Sequence, residues 1–99
     1  MSARSKQSEK YVERKLVEAV EAAGGTSVKM ALTGARGFPD RVNVYPGGRV
    51  QFVECKTTGQ PLDPLQIWWQ KLLTRLGAEW HKLDHTDDIP NIVNKRDVS

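Results

Sequence analysis

The chain has 99 residues, of which 15 are lysine or arginine and 12 are aspartate or glutamate, and it contains a single cysteine. This length allows one domain spanning residues 1–99 and excludes a second, while the net charge of +3 suits a polyanionic partner without establishing one. One cysteine cannot form an internal disulfide, and no apolar run reaches membrane-spanning length, so we expect a cytoplasmic protein without a membrane partner.

The first predicted element is an amphipathic helix that follows a polar start, residues 1–7, which we expect to be flexible. Its apolar residues recur three and four positions apart up to Ala23, where a pair of glycines ends it. Glu9 and Glu13 both fall on the apolar face. The helix dipole favours the charge of Glu9 near the start, but Glu13 is followed by apolar residues and needs a cation or a hydrogen-bonding partner.

Three strands are predicted in the middle of the chain. Residues 28–32 form a short strand, and a glycine-rich loop carrying Arg36 follows it. Residues 40–45 and 49–56 form two strands, and the Pro46-Gly47-Gly48 sequence between them is typical of a hairpin.

A second helix is predicted from unusually clear capping residues. Asp63 is suited to the N-cap, Pro64 to the first turn, and Gln66 stands where the partner of a capping box belongs. We expect this helix to end at Leu76, before a glycine. Two further elements complete the prediction: a strand at 78–83 and a short helix at 86–95.

The second helix carries two neighbouring tryptophans on different faces. Trp69 lies on the same face as three leucines, which predicts a position in the core: Leu65, Leu72 and Leu76. Ile67 falls on the opposite, polar side, and beside Trp68 it would suit a patch that contacts a second copy of the chain.

The hairpin brings two carboxylates together. With a three-residue loop, Asp40 stands opposite Glu54; with a two-residue glycine turn, Asp40 faces Cys55 instead. In either register the carboxylates of Asp40 and Glu54 are near neighbours and repel each other unless a cation lies between them. The hairpin therefore predicts a metal site in the middle of the sheet.

Lys56 completes this predicted site. It projects from the same strand face as Glu54, while Cys55 points to the other side. Its ammonium is suited to orienting or helping to deprotonate a water and to stabilising charge on a phosphate. Oxygen ligands favour Mg²⁺ or Mn²⁺. The competing interpretation, a solvated surface hairpin, is disfavoured by the apolar character of residues 50–56.

Several of these motifs together resemble the virus-type replication-repair nuclease (VRR-NUC) family of the PD-(D/E)xK superfamily. The resemblance runs from about Ser8 to Leu83 and rests on motifs that occur in the family's order: Glu13, Gly37-Phe38-Pro39-Asp40, the Gly47-Gly48 turn, Phe52-Val53-Glu54-Cys55-Lys56 and Pro64-Leu65-Gln66. It implies an α/β, restriction-endonuclease-like fold, with a small mixed sheet flanked by helices. It also implies Mg²⁺- or Mn²⁺-dependent cleavage of DNA. Small family members occur in phages and bacteria, are similar to Holliday-junction resolvases and tend to act as dimers on four-way junctions, which implies a bacterial or phage-infected cell.

The resemblance also implies roles for individual residues. Asp40 and Glu54 would be metal ligands, the main-chain carbonyl of Cys55 a third, and Lys56 the catalytic lysine. Cysteine replaces the aliphatic residue usual at its position, but only the backbone should matter there. Two further residues match family positions: Glu13, which would be a ligand directly or through water, and Gln66, which would orient a phosphate or a water beside its capping role.

Three cations flank the predicted site and are suited to gripping phosphates without reading sequence, although solvated surface charge is the alternative for each: Lys29, Arg36 and Arg41. The competing function is a nucleic-acid-binding module of the same fold that does not cut. It is disfavoured because such a module needs neither the acidic positions nor the lysine. A sequence-specific restriction-type enzyme would need a recognition element for which 99 residues leave little room.

Overall fold

Helices flank a four-stranded sheet in the computed structural model, which describes residues 4–31 and 34–94. The elements in chain order are α1 (Glu9–Ala22), β1 (Thr26–Lys29), β2 (Arg41–Val44), β3 (Val50–Cys55), α2 (Pro64–Arg75), β4 (Glu79–Leu83), a 3₁₀ turn (Thr86–Asp88) and α3 (Ile89–Val93). The predicted α/β class with a small mixed sheet is confirmed. Among the described residues, no helix has the length and apolar character needed to cross a membrane.

The sheet has the order β1-β2-β3-β4, antiparallel for the first two pairs and parallel for β3 and β4, which α2 connects. Tyr45 N donates to Arg49 O at 2.9 Å, so Pro46–Gly48 forms the three-residue loop. Arg41 pairs with Val53, and one step further along the ladder Asp40 stands opposite Glu54. Of the two registers that the sequence allowed, the structure has this one.

Both long helices begin at capping residues, of which Asp63 was predicted from the sequence. Ser8 Oγ accepts from Tyr11 N at 3.2 Å at the start of α1. At the start of α2, Asp63 Oδ1 accepts from Gln66 N at 3.0 Å, and Gln66 Oε1 accepts from Asp63 N at 2.9 Å. These two reciprocal bonds form the capping box that the sequence predicted.

The hydrophobic core lies on one face of the sheet, beneath α1. The helix contributes its predicted apolar stripe, and the strands and α3 supply the facing side chains. These core residues are all buried: Val12, Leu16, Val20, Tyr45, Val53, Cys55, Leu83, Ile89, Ile92 and Val93. Burial of aliphatic side chains at this single layer supplies the main stabilisation, as a chain of this length allows.

A polar network closes the end of this core that lies farthest from the carboxylates of the hairpin. Arg49 Nη2 donates to Glu79 Oε2 at 2.7 Å and to the carbonyl of Ile92 at 2.8 Å. Gln51, which is fully buried, donates to the same Glu79 oxygen at 2.6 Å. The network therefore attaches α3 to the sheet through charged hydrogen bonds.

The core position predicted for one face of α2 is wrong. No residue of α2, all of which are described, is buried, and Leu65 and Leu76 are 49% and 70% exposed. Trp69 is only partly buried, against Phe38 at a ring-centroid distance of 4.9 Å. Helical periodicity predicts which side of a helix faces the protein, but not how much of that side is covered.

The remaining boundaries differ by a few residues. The first strand, predicted at 28–32, begins at Thr26 and ends at Lys29 because its pairing with β2 sets its limits, and residue 32 lies outside the described part. The last predicted helix is divided into the 3₁₀ turn and α3, and its residue 95 is also outside that part. Within the predicted flexible start, Gln7 N donates to Thr58 Oγ1 at 3.0 Å; residues 1–3 are not described.

Candidate active site

The centre of the site is the carboxylate pair of Asp40 and Glu54. Asp40 directly precedes β2, and Glu54 lies near the end of β3 with only 3% of its surface exposed. Asp40 Oδ2 accepts from the backbone N–H of Cys55 at 3.0 Å, which holds it against the neighbouring strand. The pairing register and this bond explain why the two carboxyls share one small space.

The electrostatics of this pair disfavour the charged form of Glu54. Burial raises the pKa of Glu54 most, and the charge and a hydrogen bond of Asp40 raise it further, to about 8, although Lys56 acts in the opposite direction. Two neighbouring carboxylates, of which Glu54 is buried, repel each other unless a positive charge compensates them. An all-oxygen donor set with this requirement fits Mg²⁺ or Mn²⁺. Within the described ranges, no group of three or more histidine, cysteine, aspartate or glutamate side chains converges as a ready-made cage.

Lys56 lies beside the pair, as predicted, and is 7% exposed. Its backbone N–H donates to the carbonyl of Leu83 at 2.9 Å, so the parallel pairing with β4 fixes the end of β3. The charge of the Lys56 ammonium lowers the pKa of Glu54, so the two groups lie within electrostatic reach of each other. The sheet thus brings the carboxyls of Asp40 and Glu54 and the side chain of Lys56 close together.

Gln66 reaches this site from α2. Its Nε2 donates to Glu54 Oε2 at 3.0 Å, while its Oε1 remains in the capping box with Asp63. The capping bond and the contact with Glu54 are therefore present together in one residue.

Glu13 is held by two cations rather than by the central pair. It is 8% exposed, and it accepts from Lys29 Nζ and Arg41 Nε, each at 2.9 Å. Burial alone would raise the pKa of Glu13, but the hydrogen bonds from Lys29 and Arg41 outweigh it and lower the pKa. The need for a partner, inferred from the helix pattern, is met here by Lys29 and Arg41.

Glu9 is the acidic residue whose connection to the site the sequence did not reveal. Partial burial raises the pKa of Glu9 most, the charge of Asp40 raises it further, and Lys56 lowers it. Glu9 therefore lies within electrostatic reach of both residues. The sequence feature that could have revealed this connection is the position of Glu9 on the apolar face of α1, one turn before Glu13.

Arg36, the third predicted phosphate-binding cation, lies on the loop before β2. Its carbonyl accepts from Trp69 Nε1 at 2.9 Å. A Cβ at the adjacent Gly37, which has a φ of +83°, would lie 2.7 Å from Leu65 Cβ, so the loop is pressed against α2. Arg36 therefore lies next to the exposed surface of α2.

Comparisons with known proteins identify the family. A protein described as putative nuclease p44, of Acyrthosiphon pisum secondary endosymbiont phage 1, is 38% identical over 79 residues, which cover 80% of this chain and 85% of that protein. A solved structure described as a VRR_NUC domain matches with a TM-score of 0.82 at 24% identity, over 92% of this chain and 100% of that one. The chain belongs to the VRR-NUC nuclease family. None of the family models matches this sequence.

One residue of this VRR-NUC domain departs from the aliphatic type expected from the resemblance. Cys55, between Glu54 and Lys56, is fully buried in the core. Burial raises the pKa of the Cys55 thiol, so the side chain stays protonated and acts as a small hydrophobic residue.

Proposed function

We propose that this VRR-NUC domain is a metal-dependent endonuclease that hydrolyses phosphodiester bonds in DNA. The observation that carries the proposal is the opposed pair Asp40 and Glu54, in which Glu54 is buried, together with the buried Lys56. Membership of a nuclease family supports it independently. A non-cutting nucleic-acid-binding domain would need neither this carboxylate pair nor a buried lysine.

Three oxygen donors would hold the Mg²⁺ or Mn²⁺ ion: the side chains of Asp40 and Glu54 and the main-chain carbonyl of Cys55. When bound, the ion would supply positive charge to a phosphate oxygen and lower the pKa of a water. Glu13 is proposed as a ligand only through water, because Lys29 and Arg41 already hold its oxygens. Glu9 is proposed as a second such acidic group on α1.

The protein groups around the ion have distinct tasks. Lys56, fixed at the end of β3, stabilises charge that develops on the phosphate and orients the attacking water. Gln66 fixes the orientation of the Glu54 carboxylate through the hydrogen bond to Oε2. Lys29 is bonded to Glu13 but keeps 60% of its side chain exposed, so we propose that it also contacts a phosphate. Arg41, more enclosed, and Arg36 are proposed to add positive potential along the DNA.

We further propose that the substrate is branched DNA, such as a four-way junction, and that the enzyme works as a homodimer. A two-fold pair of sites would suit symmetric cuts in a junction. Three exposed valines on the sheet face opposite α1 support an interface between two copies: Val28, Val44 and Val50, which are 46%, 41% and 43% exposed. Sedimentation of the parent and of Val44→Lys tests the dimer, which the charged variant should weaken.

The nuclease activity is tested with labelled four-way junction, duplex and single-stranded DNA in the presence of Mg²⁺, Mn²⁺ or a chelator. We expect symmetric nicks in the junction that need a divalent ion. Asp40→Asn, Glu54→Gln and Lys56→Met should each reduce cleavage by at least about 100-fold while DNA binding persists. Lys15→Met, at a partly exposed lysine of α1 paired with Glu18, is the matched control for the loss of one charge. Binding without cutting by the parent under every metal condition would contradict the proposal.

A further inference from the structure

Trp68 is an exposed tryptophan between two open grooves on α2. It is 56% exposed, which is a large apolar surface for a residue of a small domain. On one side the groove is lined by Trp68, Lys71, Leu72 and Arg75. On the other a groove of about 420 Å³ is lined by Gly34, Ala35, Arg36, Leu65, Trp68 and Trp69.

The charged residues that line the two grooves beside Trp68 are cations: Arg36, Lys71 and Arg75. None of the chain's 12 acidic residues falls within residues 34–39 or 64–78, the ranges that include the residues lining these grooves. Lys71 and Arg75 follow Trp68 at three and seven positions, so they lie one and two turns further along the same helix face. An apolar ring beside three cationic side chains is complementary to a nucleobase and its phosphates.

Contacts with neighbouring aromatic side chains hold the Trp68 ring in position. Trp68 meets Trp69 edge to face, at a centroid distance of 5.1 Å and an interplanar angle of 89°. Trp69 in turn packs against Phe38 and donates its indole N–H to the carbonyl of Arg36. This chain of contacts gives a fixed aromatic surface, which loses little freedom when a flat ligand stacks on it.

The same contacts fix the position of Trp68 relative to the carboxylate pair. Gln66, two residues earlier in α2, is hydrogen-bonded to Glu54. Phe38, beneath Trp69, lies two residues before Asp40. A strand of DNA that crosses the site can therefore meet α2 at a defined place.

We propose that Trp68 is a stacking platform for an unpaired base of the DNA, with Lys71, Arg75 and Arg36 neutralising the adjoining phosphates. The occupant is single-stranded DNA next to the cleavage site, such as the unpaired bases at a branch. The inference rests on the proposed function, because that function makes DNA the ligand.

Binding is measured by fluorescence anisotropy in an Asp40→Asn background, with a labelled single-stranded oligonucleotide and a series of versions with one abasic site each. We expect Trp68→Ala to weaken binding by about 10-fold and Trp68→Phe to retain most of it. An abasic site at the stacked position should weaken binding to the Trp68 protein but not to Trp68→Ala. Ile67→Ala, at a neighbouring residue that is 36% exposed, is the matched control.

Equal binding by Trp68→Ala, or equal sensitivity of both proteins to every abasic site, would overturn the inference. So would sedimentation showing that Trp68→Ala dissociates a dimer, since the surface would then be a protein interface. The two proposals can fail separately. A parent protein that cuts DNA with no contribution from Trp68 would defeat only the platform. Trp68-dependent binding in a parent that never cuts would defeat only the nuclease activity.

Discussion

Gln66 Nε2 donates a hydrogen bond of 3.0 Å to Glu54 Oε2, while Gln66 Oε1 accepts one of 2.9 Å from the backbone N–H of Asp63. One amide therefore joins the first turn of α2 to the carboxylate at the end of β3. Because the donor and the acceptor of that amide serve different partners, the structural role and the proposed role in the site can be separated by substitution.

Gln66→Glu keeps an acceptor for Asp63 N–H but removes the donor to Glu54 and adds a third carboxylate. We expect stability close to that of the parent and cleavage reduced by about 10-fold or more. Asp63→Ala should show the reverse pattern, with stability lower by about 1 kcal/mol and cleavage retained. Urea denaturation and a cleavage assay measure both variants. A loss of stability without a loss of cleavage in Gln66→Glu would assign the residue to capping alone.

The stability of the metal-free protein should depend on pH through Glu54. Its pKa is about 8 in the folded protein and 4.5 as an ordinary glutamate, so between these values the folded state binds the extra proton. Stability therefore falls as pH rises through this window, by roughly 2–4 kcal/mol, and levels off above it. Asp40→Asn should weaken the pH dependence of stability, because it removes the neighbouring negative charge that adds to the effect of burial on the pKa of Glu54.

Thermal denaturation across that pH range, with a chelator or with Mg²⁺, measures this effect. We expect Mg²⁺ to restore stability most strongly at the alkaline end, where both carboxylates are ionised. An unchanged dependence in Asp40→Asn, or no stabilisation by a divalent ion, would contradict the assignment of the pair as a cation site.

The two carboxylates of α1 should respond differently to substitution. Glu13→Gln removes the charge that Lys29 and Arg41 share, so we expect a loss of stability of about 1–3 kcal/mol and a smaller effect on Mg²⁺ affinity. Glu9→Gln, at an exposed position near Asp40, should leave stability almost unchanged and weaken Mg²⁺ binding. Calorimetric titration and denaturation distinguish them. The opposite pattern would make Glu13 the ligand that lies closer to the ion.

The network at Glu79 should set the acid stability of the attachment of α3. Burial alone would raise the pKa of Glu79, but hydrogen bonds from Arg49, His81 and Gln51 outweigh it and lower the pKa to about 2. A lowered carboxyl pKa stabilises the fold above the ordinary value of 4.5, and this stabilisation is lost as pH falls from there toward about 2.

Glu79→Gln should therefore lower stability near neutral pH by about 1–2 kcal/mol, a figure reduced for solvent screening, and the difference should vanish in strong acid. Denaturation curves of the parent and the variant at several pH values measure it. Glu21→Gln, at an exposed acidic residue of α1, is the control. An equal difference at all pH values would indicate lost packing instead of a lost charge.

Local chemistry in the sequence determined the carboxylate pair, the position of Lys56 and the start of α2. Strand alternation places Glu54 and Lys56 on one face, and the Pro46-Gly47-Gly48 loop brings Asp40 near Glu54 in either register. The capping box needs only neighbouring residues. Each of these relationships spans one hairpin or one helical turn, where covalent connection leaves few alternatives.

Only the tertiary structure decided what lies around that pair. Glu13 finds its partners 16 and 28 residues away, and Gln66 bonds to Glu54, which lies 12 residues earlier in the chain. How far α2 is buried likewise depends on where the helix crosses the sheet. Its apolar face is only partly covered there, and no residue of α2 is fully buried. Periodicity selects the face of an element, whereas packing between distant segments decides how much of that face is covered and which charges meet.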